Sequence, residues 1–144
     1  MLSTAVYPLL LILSLLSQTT RAIERSFFED RPDLLFTLFT DRGHVNLSLP
    51  EPISFSDQVS PEQAFFIFRR LHRTYSTFEF YADSESPILT RDEGFIFKAR
   101  WSFRNTASND QYVFRVFFHL TAGQRHPAAD RSPWKITDIR AERL

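Results

Sequence analysis

The sequence predicts an α+β domain in which helices come first and an antiparallel sheet follows, and three observations carry that expectation. Apolar residues recur at helical spacing as far as about Tyr75, they alternate with polar ones from Thr77 onward, and 144 residues without an internal repeat suit one domain. A hydrophobic share of 43% against 24% charged residues is enough to bury a core. Sixteen Phe against three Gly suit aromatic-lined strands and leave no glycine-rich loop to cradle a phosphate. Cys is absent, so disulfides, thiolate metal sites and lipid attachment through Cys are excluded and packing alone must hold the fold. Seventeen basic and seventeen acidic side chains cancel, which argues against nucleic acid, since that binding needs a basic face.

Each element has its own signal. Residues 5 to 17 are an uncharged apolar run, shorter than the roughly 20 residues that span a bilayer, and Thr20 and Ala22 put small side chains just before a cut after Ala22. Residues 1–22 therefore read as a signal peptide whose only positive start is the α-amino group; the alternatives are an uncleaved anchor, the one route to a membrane, and a buried N-terminal helix. Cleavage leaves a single domain over 23–144, with 16 basic and 17 acidic side chains, in a secreted or periplasmic setting. Ile23, Phe27, Leu34, Leu35, Leu38 and Phe39 keep helical spacing, divided at Asp30-Arg31-Pro32 into two short helices, because Pro suits a first turn and breaks an interior. Asp41-Arg42-Gly43 ends the second. Val45, Leu47 and Leu49 alternate as a half-buried strand closed by Pro50-Glu51-Pro52. Ser60-Pro61-Glu62-Gln63 is the clearest helix start, with a Ser N-cap, Pro in the first turn and Gln placed to close a capping box. This helix runs to about Tyr75 with Ala64, Phe65, Phe68, Leu71, His72 and Tyr75 on one face, and Phe66 projects instead on the side of Arg69 and Arg73.

Four strands follow. Their inward sets are Phe78, Phe80 and Ala82, then Phe95, Phe97, Ala99, Trp101 and Phe103, then Tyr112, Phe114, Val116, Phe118 and Leu120, then Trp134 and Ile136. Asn105 to Asp110 reads as a hairpin loop and Gly123 to Pro133 as a second loop. The predicted order is α-α-β-α-β-β-β-β, with Phe68, Leu71, Phe97, Trp101, Phe114, Phe118 and Trp134 packed between the long helix and the sheet.

Three segments narrow the fold further: Ser60-Pro61-Glu62-Gln63-Ala64, Tyr112-Val113-Phe114-Arg115-Val116-Phe117-Phe118-His119-Leu120, and Trp134 to Arg143. Together with the element order and the leader, they resemble a family of small exported bacterial proteins, known only as a domain of unknown function, with the nuclear transport factor 2-like or cystatin-like fold. The resemblance covers nearly all of residues 23 to 144. It implies a curved antiparallel sheet wrapped as a cone around the long helix, with an open end that often holds a ligand, and pairing of two copies through their sheets. The superfamily contains isomerases, dehydratases, cyclases, assembly modules and plain binding domains, so the fold does not choose among them.

No residue pattern supplies a catalytic or metal centre. His44, His72, His119 and His126 stand apart without H-x-H or H-E-x-x-H spacing, so no metal and no cofactor is expected, and none of the glycines flanks a Ser as a nucleophile elbow would require. Acid–base chemistry needs a carboxylate or His inside an apolar cone; only His72 and Tyr75 qualify, with Phe97 and Trp101 as cavity walls. The simpler reading is that both satisfy core or rim contacts, because the inward sets carry no Asp or Glu. On the outer sheet face Lys98, Arg100 and Arg115 suggest either an anion site or salt bridges with Glu79 as counter-charge. Ile96, Val113, Phe117 and Ile139 are left over there, apolar where alternation calls for polar residues, which points to a homodimer interface or to cover by residues 83–93. The expected function is a non-catalytic module that binds a ligand or a protein. The alternatives are a small cofactor-free isomerase- or dehydratase-like enzyme and a structural assembly module.

Overall fold

In the computed structural model, residues 3–41, 43–83, 87–91, 94–122 and 134–144 are described. The elements are α1 (Ser3–Phe28), α2 (Pro32–Leu38), β1 (Val45–Leu49), β2 (Phe55–Val59), α3 (Pro61–Thr74), β3 (Tyr75–Ala82), β4 (Ile88–Leu89), β5 (Phe95–Asn105), β6 (Gln111–Ala122) and β7 (Trp134–Arg143). One mixed sheet runs β2-β1-β7-β6-β5-β3, with β4 added beside β5 and with β1 and β7 parallel. Its long strands β5 and β6 pair from Phe95 opposite Leu120 to Arg104 opposite Gln111, around the predicted hairpin. Asn105 closes that hairpin, accepting from the Ala107 and Ser108 N–H groups through its side chain while its own N–H donates to the Asp110 carbonyl.

The helix start at Ser60 forms as the sequence predicts. Ser60 Oγ accepts from the Gln63 N–H and Gln63 Oε1 accepts from the Ser60 N–H, at 3.1 and 2.9 Å, so two donors that a helix end leaves open are satisfied reciprocally. Pro32 likewise opens α2. This helix stops at Leu38, short of Gly43, because Phe39 turns extended and bridges to Ile136 of β7 while the Lys135 ammonium donates to the Thr37 carbonyl at 3.0 Å. The end of α2 is thus pinned to the sheet by backbone and side chain.

Several expectations are corrected. The first helix is not confined to the residues after Ala22: α1 is continuous from Ser3, and Leu16 and Thr19 are buried in line with Ile23, Ser26 and Phe27 on one helix face. Two strands join the predicted set. In β2 the residue between the apolar ends on the same face is Asp57, and only Val59 is buried, so an edge strand formed by pairing with β1 carries no alternation. β4 has two residues, too few for any period.

Two bulges account for the remaining differences. Between Thr77 and Glu79 the β3–β5 register slips by one residue, so Thr77 opposite Phe103 and Phe80 opposite Trp101 both face inward, and Phe78 is left outside and exposed. Ala82, at the strand end, is exposed as well. A second slip at Thr137 places Ile139 opposite Phe118, wholly buried, instead of on the outer face. The predicted loop over Gly123 to Pro133 lies outside the described residues.

The core is one cluster and contains all seven residues named from the sequence. Its centre is Phe27, whose ring stacks on Phe80 at 4.6 Å between centroids and meets Trp101, Phe118, Phe68 and His72 edge-on at 5.1 to 5.9 Å. Phe28, the next residue, turns away and is 52% exposed. Phe27→Ala should therefore cost about 3–5 kcal/mol, whereas Phe28→Ala should stay within about 0.5 kcal/mol. Urea unfolding of the two variants measures the contrast, and equal losses would place the α1 face wrongly.

Candidate functional site

The aromatic residues that alternate along β5 and β6 pack into one cluster on the inner face of the sheet. Trp101 stacks on Phe103 at 4.1 Å and donates its Nε1–H to Thr77 Oγ1 at 2.9 Å, while Phe114 stands edge-on to both rings. Phe97 and Trp101, named from the sequence as cavity walls, lie within this packing. Tyr75 joins it from the end of α3, edge-on to Phe103 and Tyr112, and burial, with Tyr112 adding, raises its hydroxyl pKa.

His72 stands elsewhere. Its side chain, 6% exposed, lies edge-on to Phe27 with Nδ1 at 3.1 Å from Asp30 Oδ1 in the α1–α2 turn. Burial lowers its pKa, and the Asp30 carboxylate opposes that in part. The ring borders a cleft of about 340 Å³ shared with Asp30, Pro32, Asp33, Phe65, Arg69 and Arg73. Tyr75 is not among the described walls of this cleft.

The outer sheet face is covered by its own cations. Ile96, Val113 and Phe117 are each half-buried, and the Phe117 ring lies beneath Arg140 and Lys98, at 5.4 and 5.9 Å from its centroid. Arg115 pairs with Asp83 at 2.7 Å and with Glu142 at 3.2 Å, so the salt-bridge reading holds for Arg115, with these two acids and not Glu79, whereas Lys98 and Arg100 have no ion pair among the described residues. Both pairs are exposed enough that they contribute little to stability.

A larger concavity than the His72 cleft lies between α3 and the β1–β2 hairpin. It measures about 570 Å³. Ile53, Phe55, Ile67 and Leu71 form an apolar floor, Phe66 stands at its lip with 59% of its surface exposed, and Arg69, Arg70 and Arg73 complete the rim. Capping at Ser60 sets the rotation of α3, and that rotation sends Ala64, Phe68 and Leu71 to the core and the Phe66–Arg70–Arg73 stripe outward. The sequence shows half of this cleft in Phe66 beside its arginines. Ile53 and Phe55 are hidden there, because Ile53 lies in the Pro-rich turn and Phe55 opens the strand without alternation.

No known protein family matches the chain, and no curated protein is similar to it. Solved structures are. A DUF4783 family protein from Bacteroides fragilis superposes with a TM-score of 0.61 at 15% identity, over 85% of this chain and 96% of its own. A ketosteroid isomerase-like protein from Erwinia carotovora gives 0.66 at 11% identity, over 92% and 95%. An NTF2-like protein of unknown function in nutrient uptake from Rhodospirillum rubrum gives 0.61 at 9%, over 90% and 98%. Helices preceding a curved antiparallel sheet, with an aromatic core between them, are therefore the nuclear transport factor 2-like, or cystatin-like, fold in this chain.

Proposed function

We propose that the protein is an exported, non-catalytic binding module that takes its ligand in the cleft between α3 and the β1–β2 hairpin, not inside the cone. The observation that carries this reading is the outer cleft itself, which has an apolar floor and the size of a small-molecule site, while the described rings around Phe27 and Trp101 pack as one core cluster. The comparison proteins include both an isomerase-like protein and proteins of unknown function, so their fold permits a binding role without requiring one. A neutral fluorescent probe, N-phenyl-1-naphthylamine, should shift amide resonances of residues 53–55 and 66–73 in NMR titrations. Shifts centred on Trp101 and Phe114 would instead place the ligand in the cone and defeat this reading.

Export rests on the apolar run at residues 5–17 and the small residues before Ile23. N-terminal sequencing of the protein from a periplasmic or secreted fraction should begin at Ile23; a start at Met1 in membranes would reverse both boundary and compartment.

The enzyme reading draws on the buried His72 beside Asp30, but the structural role accounts for that pair. With its pKa below the ordinary value, His72 stays neutral in the folded protein while the unfolded chain takes up a proton as pH falls through about 6.5. Stability from this site is therefore complete above that pH and declines below it, until the folded protein also protonates. The stability advantage of the wild type over His72→Gln should be constant above about pH 7 and narrow as pH falls below 6.5, a trend that thermal melts across pH 5–8 will register; a widening gap on acidification would mean that the protonated His72–Asp30 pair stabilises the fold.

A further inference from the structure

We infer that the occupant of the α3 cleft is a free small amphipathic anion, a carboxylate, phosphate or sulfonate carried on an apolar body. This inference rests on the proposed binding site and adds the chemistry of what fills it. The floor supplies the apolar half of the recognition. The rim supplies the other half: Arg69, Arg70 and Arg73 are exposed, and none has an ion pair or side-chain hydrogen bond among the described residues. Arg25, Arg31 and Arg115 each hold a carboxylate, whereas Arg100 and Arg104, like the three on the rim, have no ion pair among the described residues.

Among the described residues no Asp or Glu lines this cleft. Arg69 and Arg73 also border the smaller cleft on the other side of the helix, but its acids are already engaged, Asp33 with Arg31 at 2.9 Å and Asp30 with His72 at 3.1 Å. Arg70 lines only the larger of the two clefts. Three uncompensated guanidinium groups one helical turn or less apart repel one another, and an anion between them removes that repulsion while accepting charge-assisted hydrogen bonds. Phe66 at the lip, exposed beside two of these arginines, gives a ligand's apolar body a wall that water would otherwise face. The site is a concavity of about 570 Å³, a volume that encloses a free molecule, whereas a flat membrane surface would meet only its rim.

Two probes with the same rings separate the charge from the floor. N-phenyl-1-naphthylamine is neutral, and 1-anilinonaphthalene-8-sulfonate adds one sulfonate. The anionic probe should bind the full-length protein about tenfold or more tightly than the neutral one, and decanoate should displace it while decanol, with no charge, competes less well. Arg70→Gln should weaken the anionic probe, and Arg69→Gln with Arg73→Gln should weaken it further; in every variant the anionic probe should lose more affinity than the neutral one. Raising salt should narrow the difference between the probes. Equal affinity for the two probes, with both mapped to the cleft by NMR, would overturn the anion and leave the site standing. Failure of either probe to perturb residues 53–55 and 66–73 would remove the site itself. Flotation with vesicles of anionic phosphatidylglycerol, with Arg70 required and decanoate unable to compete, would overturn the free ligand in favour of a lipid surface.

Discussion

The structure depends on where one phenylalanine ring is held. Phe27, on the last turn of α1, touches rings from α3, β3, β5 and β6 together, so it fixes the distance between the first helix and three strands that the chain supplies much later. Removing that ring would take one ring contact from each of Phe80, Trp101 and Phe118 and the stacked partner from Phe80. His72 belongs to the same contact set, and Asp30, three residues beyond Phe27, reaches back to it. The turn after α1 is in this way coupled to α3 by a ring contact on one side and a carboxylate on the other.

Beside this packing, concave space borders the outside of α3. A sheet that curls around a helix can leave a cavity or fill it, and the choice is made by the size of its inward residues. Here these are Phe97, Trp101, Phe103, Phe114 and Phe118, large flat side chains with few polar atoms. The one indole N–H that this stack must satisfy finds its partner in Thr77, which the bulge in β3 turns inward. Helix α3 has two faces with opposite tasks, one closing the core and one bordering clefts.

Much of this is readable in the residues, for reasons that can be named. The long alternations of β5 and β6 and the reciprocal cap at Ser60 are repeated or self-contained signals, and both appear where they are expected. Ile139 and Phe78 are misplaced by alternation alone because a single inserted residue reverses parity, and neither Thr137 nor the Thr77–Glu79 segment has a side chain that marks a bulge. The cleft is half legible for a related reason. Phe66 violates the helix pattern and so draws attention, but its opposite wall comes from an edge strand that owes its existence to a neighbour.

The continuity of α1 across Ala22 bears on the electrostatics of a processed chain. Cleavage at that point would give Ile23, whose side chain is 0% exposed, a protonated α-amino group at the new beginning of the helix. A positive charge there faces the positive end of the helix macrodipole, an arrangement that opposes helix formation. Glu24 would become the second residue of that shortened helix, where a carboxylate is favoured. Its pKa is raised in the intact chain by partial burial, against a weaker opposing pull from Arg21. The same cut removes Arg21, so Glu24 would exchange a guanidinium neighbour for an ammonium one and remain the local counter-charge that holds the first turn on which Phe27 depends.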